Sequence, residues 1–230
     1  MNIYMGWDSR EAIAYDVCEY SIKKHCSLAN IIPLKLTDLR YELTYTRPDD
    51  PLSSTDFTFS RFLVPFLNKY EGWAIFCDCD FLWLHDINNL FDMVDDQYAV
   101  MVAKHDYKPP QKVKMDGKAQ HQYPRKNWSS LVLWNCSHPS NEQVTPELVN
   151  TETGQYLHRF TWLQDHEIGE VPHTWNWLTD WYEEPIDGHP RALHFTLGGP
   201  WFDNYKDTKY ANVWNRYRQE YTEANNSEFS

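Results

Sequence analysis

The segment from Ala74 to Phe81 constrains the fold and chemistry of this chain more than any other. It is an apolar run that predicts a buried strand, and it ends in Asp78 and Asp80, which are one residue apart. Side chains at positions i and i+2 of a strand point to the same side, so the two carboxylates should leave the strand together. Two charges at the end of a buried strand are costly unless something neutralises them. A divalent cation with oxygen ligands is one solution, and a solvated turn is the other.

The bulk properties exclude several classes of protein. A chain of 230 residues fits one large domain. A net charge of −12 argues against a nucleic-acid or anionic-membrane partner, because either would require a basic face. The sequence predicts no transmembrane segment, since it lacks a run of about 18 apolar residues. It also opens without a signal-peptide pattern.

Cysteine usage points to a reducing compartment. The chain has 5 cysteines, an odd number, without the spacing of a zinc site. Cys77 and Cys79 alternate with the aspartates and should face the core. We therefore expect a cytoplasmic protein.

Predicted strands alternate with helices through the first half, which indicates an α/β fold with a mostly parallel central sheet flanked by helices. We expect a single domain over 1–222, made of two halves (1–104 and 105–222), and a frayed tail (223–230). The polar stretch 105–127 is long enough to be a lid. Strands are predicted over 2–6, 30–36, 72–81, 98–104, 129–134 and 189–195, and helices over 11–24, 37–41, 59–67, 145–157, 163–168 and 205–221.

Ligands of such sheets bind at the carboxyl ends of the strands. Asp8, the pair Asp78 and Asp80, and Asn135 are all expected at that end. Whether they converge in space depends on how the sheet is wound.

A third metal ligand is available far downstream. His194 closes a short apolar strand before Gly198 and Gly199, whose backbone could approach a ligand or offer amides to phosphate. Imidazole can complete an Mn²⁺ site that already has oxygen ligands. A core histidine bonded to a carbonyl is the alternative for His194 alone. Together with the two aspartates, the pattern favours the ligand.

Several segments, in order, resemble the nucleotide-sugar glycosyltransferases of the GT-A fold, in particular the group of glycogenin and the bacterial lipopolysaccharide galactosyltransferases. The similarity spans about residues 2–202, and it implies that 1–104 is mainly the nucleotide-binding half and 105–222 mainly the acceptor half. Asp78-Cys79-Asp80 resembles the family's Asp-any-Asp (DXD) motif. The other matching segments are the opening strand to Asp8 with its helix, 60–65, 129–135, 163–165, Trp175-Asn176, and 194–201.

The resemblance implies a metal-dependent transfer of a hexose from a nucleotide sugar, with UDP-sugar favoured, to a glycan or other hydroxyl acceptor. The metal, Mn²⁺ or Mg²⁺, would be held by Asp78, Asp80 and His194. It implies a catalytic set of Asp165, Asn135 and His166, with Asp165 as the general base if the enzyme inverts. The nucleotide sugar would meet Tyr4, Asp8, Arg61, Asp78, Asp80, Gly198, Gly199 and Lys206.

The chain also departs from the family pattern. His166 stands where glutamine is usual, Ser129 and Ser130 replace Asn-any-Gly, and Gly6-Trp7-Asp8-Ser9-Arg10 differs from the usual Thr-Asp opening. These departures leave the donor and the stereochemical outcome open. A sugar nucleotidyltransferase and a non-catalytic carbohydrate-binding protein remain as alternatives. The first usually carries a glycine-rich basic loop that this opening lacks, and the second would not need the metal triad.

Overall fold

The structure, a computed structural model, describes residues 2–50, 53–106, 125, 127–183 and 189–227. The lid expected at 105–127 lies almost entirely outside these residues. The strands are β1 (Asn2–Gly6), β2 (Asn30–Leu34), β3 (Trp73–Cys77), β4 (Phe81–Trp83), β5 (Val100–Val102), β6 (Leu131–Asn135), β7 (Ile168–Glu170), β8 (Trp177–Leu178) and β9 (Ala192–His194). The α-helices are α1 (Ala12–His25), α2 (Leu36–Tyr41), α3 (Val64–Leu67), α4 (Asn88–Phe91), α5 (Pro146–Thr151), α6 (Gly154–His158) and α7 (Ala211–Ser227).

The central sheet has the strand order β2-β1-β3-β6-β5-β7. Neighbours β1–β2, β1–β3 and β5–β7 are parallel, whereas β6 runs antiparallel to both β3 and β5. The sheet is therefore mostly parallel, as predicted, with β6 as its reversed strand. We call the end where β1, β3 and β5 finish the C-terminal end of the sheet, and the other the N-terminal end.

A second, smaller sheet orders its strands β4-β9-β8. The segment predicted as one strand over 72–81 divides between the two sheets, because β3 stops at Cys77 and β4 begins at Phe81. The residues that join them, 78–80, thus lie where one sheet passes into the other. Strands of two or three residues, such as β4, β7 and β8, are too short to show a periodicity in sequence.

Burial follows the predicted pattern. The interior of β3 and β6 is fully apolar, and Cys77 and Cys79 are both completely buried. The five cysteines are all free thiols. On one face, Trp134 lies parallel to Trp162 with ring centroids 6.3 Å apart, and Phe62 packs edge-on against both. A second cluster, which includes Val17, Leu82 and Trp214, joins α1, the small sheet and α7.

Helix boundaries differ from the sequence prediction in several places. The helix predicted over 163–168 is a 3-10 turn (Asp165–Glu167) that leads into β7, and the one over 59–67 is a 3-10 turn (Ser60–Leu63) followed by α3. The helical pattern over 145–157 is two helices, because Thr153 is extended (φ −68°, ψ 151°) and caps α6 by accepting from the Tyr156 amide. Helix α7 begins at Ala211 and continues to Ser227, through residues expected to be frayed. The Gln219 amide donates to Glu223 one turn on, which supports this last part. Among the described residues, no helix combines the length and apolarity needed to cross a membrane.

Candidate metal and nucleotide-sugar site

Asp78 and Asp80 leave the C-terminal end of β3, and His194 joins them from the small sheet. In that sheet Phe81 and His194 are register partners, so the last residue of β9 lies beside the chain that follows Asp80. One ligand atom from each of Asp78, Asp80 and His194 lies within 4.8 Å of the others. The three residues that the sequence predicts as metal ligands therefore converge.

The His194 ring is held in one orientation by hydrogen bonding. Its Nδ1 lies 2.8 Å from the side-chain oxygen of Asn176, and the Asn176 amide nitrogen donates to the Ser130 hydroxyl. Nδ1 therefore carries the proton. Nε2 lies 3.4 Å from Oδ1 of Asp80, and in the neutral ring it presents a lone pair to that oxygen. Two acceptors facing each other fit a bound cation, and the outer hydrogen bond is typical of metal-ligating histidines.

Arg61 is a buried cation beside this group. Its guanidinium pairs with Asp78 at 2.7 Å, and only 7% of its side chain is exposed. It also donates to the carbonyl oxygens of Phe57 and Ser129. The arginine thus balances part of the carboxylate charge and ties the 60–63 segment to the start of β6.

Asp8 follows β1 at the same end of the sheet and is fully buried. Burial alone would raise its pKa, but hydrogen bonds from Arg10 and from the Arg10 and Asp56 amides outweigh it and lower the pKa. Asp8 also caps the short helical turn that precedes α1. Asp8 therefore acts as a helix cap, and its lowered pKa means that it is ionised.

Glu11 is a carboxyl that the sequence analysis did not single out. It is 1% exposed, and the Cys79 thiol donates to its Oε2 at 3.5 Å. Within the described part of the chain, Oε1 has no hydrogen-bond partner. Burial, followed by the charges of Asp80 and Asp8, raises the pKa of Glu11 to about 8. Near neutral pH, Glu11 is therefore mostly protonated and uncharged, beside the segment that carries Asp78 and Asp80.

Two residues expected at the site lie elsewhere. Asn135 ends β6, and because β6 is reversed it pairs with Trp73 at the N-terminal end of the sheet. There its amide donates to the Tyr98 carbonyl and its oxygen accepts from Ser137. The expectation that Asn135 lies with Asp78 is wrong. Tyr4 is buried, and its hydroxyl donates to Asn68, which also accepts from Asn2 at the beginning of β1. Tyr4 is thus a core residue of the sheet face.

Asp165 and His166 also lie at the N-terminal end. They occupy the helical turn before β7, and the next residue, Glu167, accepts from Ser140 just after β6. The Asp165 side chain is 95% exposed and pairs with Arg125. This placement gives no support to Asp165 as a general base.

The glycine turn after β9 is filled by the protein itself. Gly198 has a φ of +132°, and its amide donates to the Phe195 carbonyl, so that N–H is not available to phosphate. A Cβ on Gly198 would meet the Tyr205 ring at 2.9 Å, and one on Gly199 the Trp201 ring at 1.9 Å. These glycines are explained by close aromatic packing. Lys206 is 66% exposed and pairs with Asp203.

The site therefore gains residues that the predicted set lacked. Ser130 and Asn176 orient His194, and the Ser130 carbonyl accepts from the Asp78 amide. The Trp175-Asn176 pair was part of the family resemblance, which was the one signal for Asn176. Ser129 and Ser130 could be placed at the site only by knowing the direction of β6.

Comparison with known proteins gives one close relative in sequence. No family model matches. The chain is 50% identical over 230 residues to "Protein CDI" of Arabidopsis thaliana, covering 98% of this chain and 89% of the plant protein. The chain belongs to the CDI family.

Solved structures that resemble this CDI-family chain include glycosyltransferases. Glycosyltransferase GlyE of Streptococcus pneumoniae matches with a TM-score of 0.64 and 16% identity, over 94% of this chain and 59% of GlyE. The galactosyltransferase LgtC, solved with donor and acceptor sugar analogues, matches with a TM-score of 0.59 and 12% identity, over 96% of each chain. At this identity the likeness establishes the fold, which is the predicted GT-A fold. This chain spans less than two thirds of GlyE.

Proposed function

We propose that this protein is a metal-dependent glycosyltransferase that moves a hexose from a nucleotide-diphosphate sugar, with UDP-sugar favoured, to a glycan or other hydroxyl acceptor. The single observation that carries the proposal is the convergence of Asp78, Asp80 and His194 at the C-terminal end of a GT-A sheet. Two carboxylates and one imidazole suit Mn²⁺ or Mg²⁺. LgtC, which has the same fold, binds donor and acceptor sugar analogues.

The three ligands would hold the cation, which when bound offsets the charge that develops on the leaving diphosphate. Arg61 would stabilise the same charge while it keeps Asp78 in place. Asn176 fixes the His194 ring, so that Nε2 faces the cation without reorientation. Asp8, ionised and fully buried, would act through Arg10, whose partly exposed guanidinium it holds at the wall of the cavity where the nucleoside would bind.

Two alternatives predict different chemistry. A sugar nucleotidyltransferase would form a nucleotide sugar and pyrophosphate from a nucleoside triphosphate and a sugar phosphate. A carbohydrate-binding protein would bind glycans without needing the metal group. The oriented His194 in the metal group favours the transferase over a glycan-binding protein. The opening Gly6-Trp7-Asp8-Ser9-Arg10 lacks the glycine-rich basic loop usual in nucleotidyltransferases, which favours transfer from a diphosphate sugar over that class as well.

The test is titration calorimetry of UDP and UDP-hexoses with the purified protein, in EDTA and in Mn²⁺. We expect binding in Mn²⁺ only, and slow release of UDP from the matching UDP-hexose. Asp80→Asn should abolish binding, whereas Asp203→Asn, at an exposed carboxylate in a surface ion pair, should leave it unchanged. Binding that is the same in EDTA, or pyrophosphate release from UTP and a hexose phosphate, would refute the proposal.

A further inference from the structure

His105 has a buried ring nitrogen that no part of the proposed mechanism uses. The residue follows β5 at the C-terminal end of the sheet and is 5% exposed. Its Nδ1 lies 2.8 Å from the Tyr182 hydroxyl. Its Nε2, also buried, has no hydrogen-bond partner among the residues that the structure describes. An unpaired buried polar atom costs free energy, so this nitrogen calls for a partner.

The ring is held rigidly by its neighbours. It stacks on His173 with centroids 5.4 Å apart, and His173 in turn stacks on Tyr182. His173 Nε2 lies 3.1 Å from the Lys104 carbonyl oxygen, which fixes the second ring. Burial, with smaller contributions from His173 and His194, lowers the pKa of His105 well below its usual range. The ring is therefore neutral, and it lies near enough to His194 for the two rings to interact electrostatically.

The order of the strands suggests what the partner is. The candidate metal group lies at the end of β3. On one side of it, towards β1 and β2, lie Asp8 and a cavity of about 160 Å³ lined by residues that include Arg10 and Tyr45. On the other side, beyond β6, lies the end of β5 with His105. In a nucleotide sugar the diphosphate separates the nucleoside from the sugar. With the diphosphate over β3 and the nucleoside towards β1, the sugar extends over β6 and β5.

We propose that His105 is a specificity-determining residue for the donor sugar, whose Nε2 hydrogen-bonds a sugar hydroxyl. This assignment rests on the proposed function. A hydroxyl both donates and accepts, so it can pair with Nε2 in either tautomer of the ring. A buried group that hydrogen-bonds one sugar hydroxyl discriminates against sugars whose hydroxyl at that carbon is missing or points the other way, because the buried group is then left unpaired.

The experiment compares wild type with His105→Phe, which keeps a flat ring and removes both nitrogens. The affinities for UDP and for a panel of UDP-hexoses are measured by calorimetry in Mn²⁺. We expect the affinity for the preferred UDP-hexose to fall roughly tenfold. The affinity for UDP, which carries no sugar, should stay within about twofold. The discrimination between UDP-glucose and UDP-galactose should shrink accordingly.

His173→Phe is the matched control, because it changes the stacked neighbour whose nitrogen is already paired. It should weaken UDP and UDP-hexose binding equally or not at all. His105→Gln, which restores a polar nitrogen, should recover part of the loss, and thermal melting checks that each variant folds. Equal changes for UDP and UDP-hexose in His105→Phe would overturn the assignment and indicate a buried water at Nε2. If wild type binds no nucleotide in Mn²⁺, the proposed function itself fails, and this inference with it.

Discussion

The two ends of the central sheet carry similar residues in different settings. At the C-terminal end, Asp78, Asp80 and His194 converge within 4.8 Å, and the aspartate side chains are 14% exposed. At the N-terminal end, Asp165 is 95% exposed and bonded to Arg125, and Asn135 is buried with its side chain paired to neighbours. Residue type alone does not separate these two ends. Burial combined with convergence on one point does, because acidic groups gathered away from water are costly unless cations lie among them.

The largest contrast should come from the aspartates of the two ends. We expect Asp80→Asn to lower the rate of UDP-hexose turnover roughly 100-fold or more, since it removes a ligand of the charge-stabilising cation. Asp165→Asn should stay within about threefold of wild type, as exposed ion pairs contribute little. Turnover is measured as UDP release in Mn²⁺. A large loss in Asp165→Asn would restore that residue as a candidate base and break the comparison.

The two buried asparagines should separate metal affinity from stability. Asn176→Ala removes the partner of His194 Nδ1 and should weaken Mn²⁺ binding about 10- to 100-fold. Asn135→Ala should lower the free energy of unfolding by about 1–3 kcal/mol, because it leaves the Tyr98 carbonyl and Ser137 unpaired. Its Mn²⁺ affinity should not change. Calorimetry and urea unfolding measure the two quantities, and a metal defect in Asn135→Ala would contradict the placement.

A pH-dependent effect is expected from Glu11 in the metal-free protein. Its pKa is raised from 4.5 to about 8, so between these values the folded protein keeps a proton that the unfolded chain has released. The free energy of unfolding should therefore fall as the pH rises through this window, with a slope approaching about 1.4 kcal/mol per pH unit. Glu11→Gln should remove this contribution, as urea unfolding in EDTA can show. The same slope in both proteins would mean that Glu11 is ionised in the fold.

The smallest effect is expected at Lys206. The side chain is 66% exposed and pairs with Asp203. Lys206→Ala should change the affinity for UDP in Mn²⁺ by less than about twofold, since a solvated ion pair is screened. A tenfold loss would show that this lysine reaches the diphosphate, as the sequence analysis first suggested.

Much of the fold and the metal group was predictable because the signals are local or chemical. The pattern of apolar residues predicts the strand over 2–6 and the helix that follows it. The alternation of side chains in a strand predicts that Asp78 and Asp80 point to the same side. His194 was found through its place after a short strand and through the family resemblance. These inferences required no knowledge of strand direction.

The residues that the sequence placed wrongly or missed depend on contacts between distant parts of the chain. The alternation of side chains in β6 is the same whichever way the strand runs. The sequence therefore could not show that Ser130 lies at the C-terminal end of the sheet and Asn135 at the N-terminal end. Glu11 was missed because an acidic residue at the start of a helix is common on surfaces. Its burial depends on a contact with Cys79, which is distant from Glu11 in the sequence. A ligand contact of Gly198 and Gly199 stays a prediction, and the Tyr205 and Trp201 rings by themselves account for glycine at these two positions.

The reversal of β6 also bears on how proteins of this fold can diversify. β5 finishes, and β6 starts, on the same side of the molecule as the metal ligands. The chain between Val102 and Leu131 therefore departs from that side and comes back to it, so neither strand need shift when its length changes. Insertions or deletions there would change the surroundings of the candidate site while the hydrogen-bonded strands keep their register. Relatives with unlike acceptors should differ most in this connection.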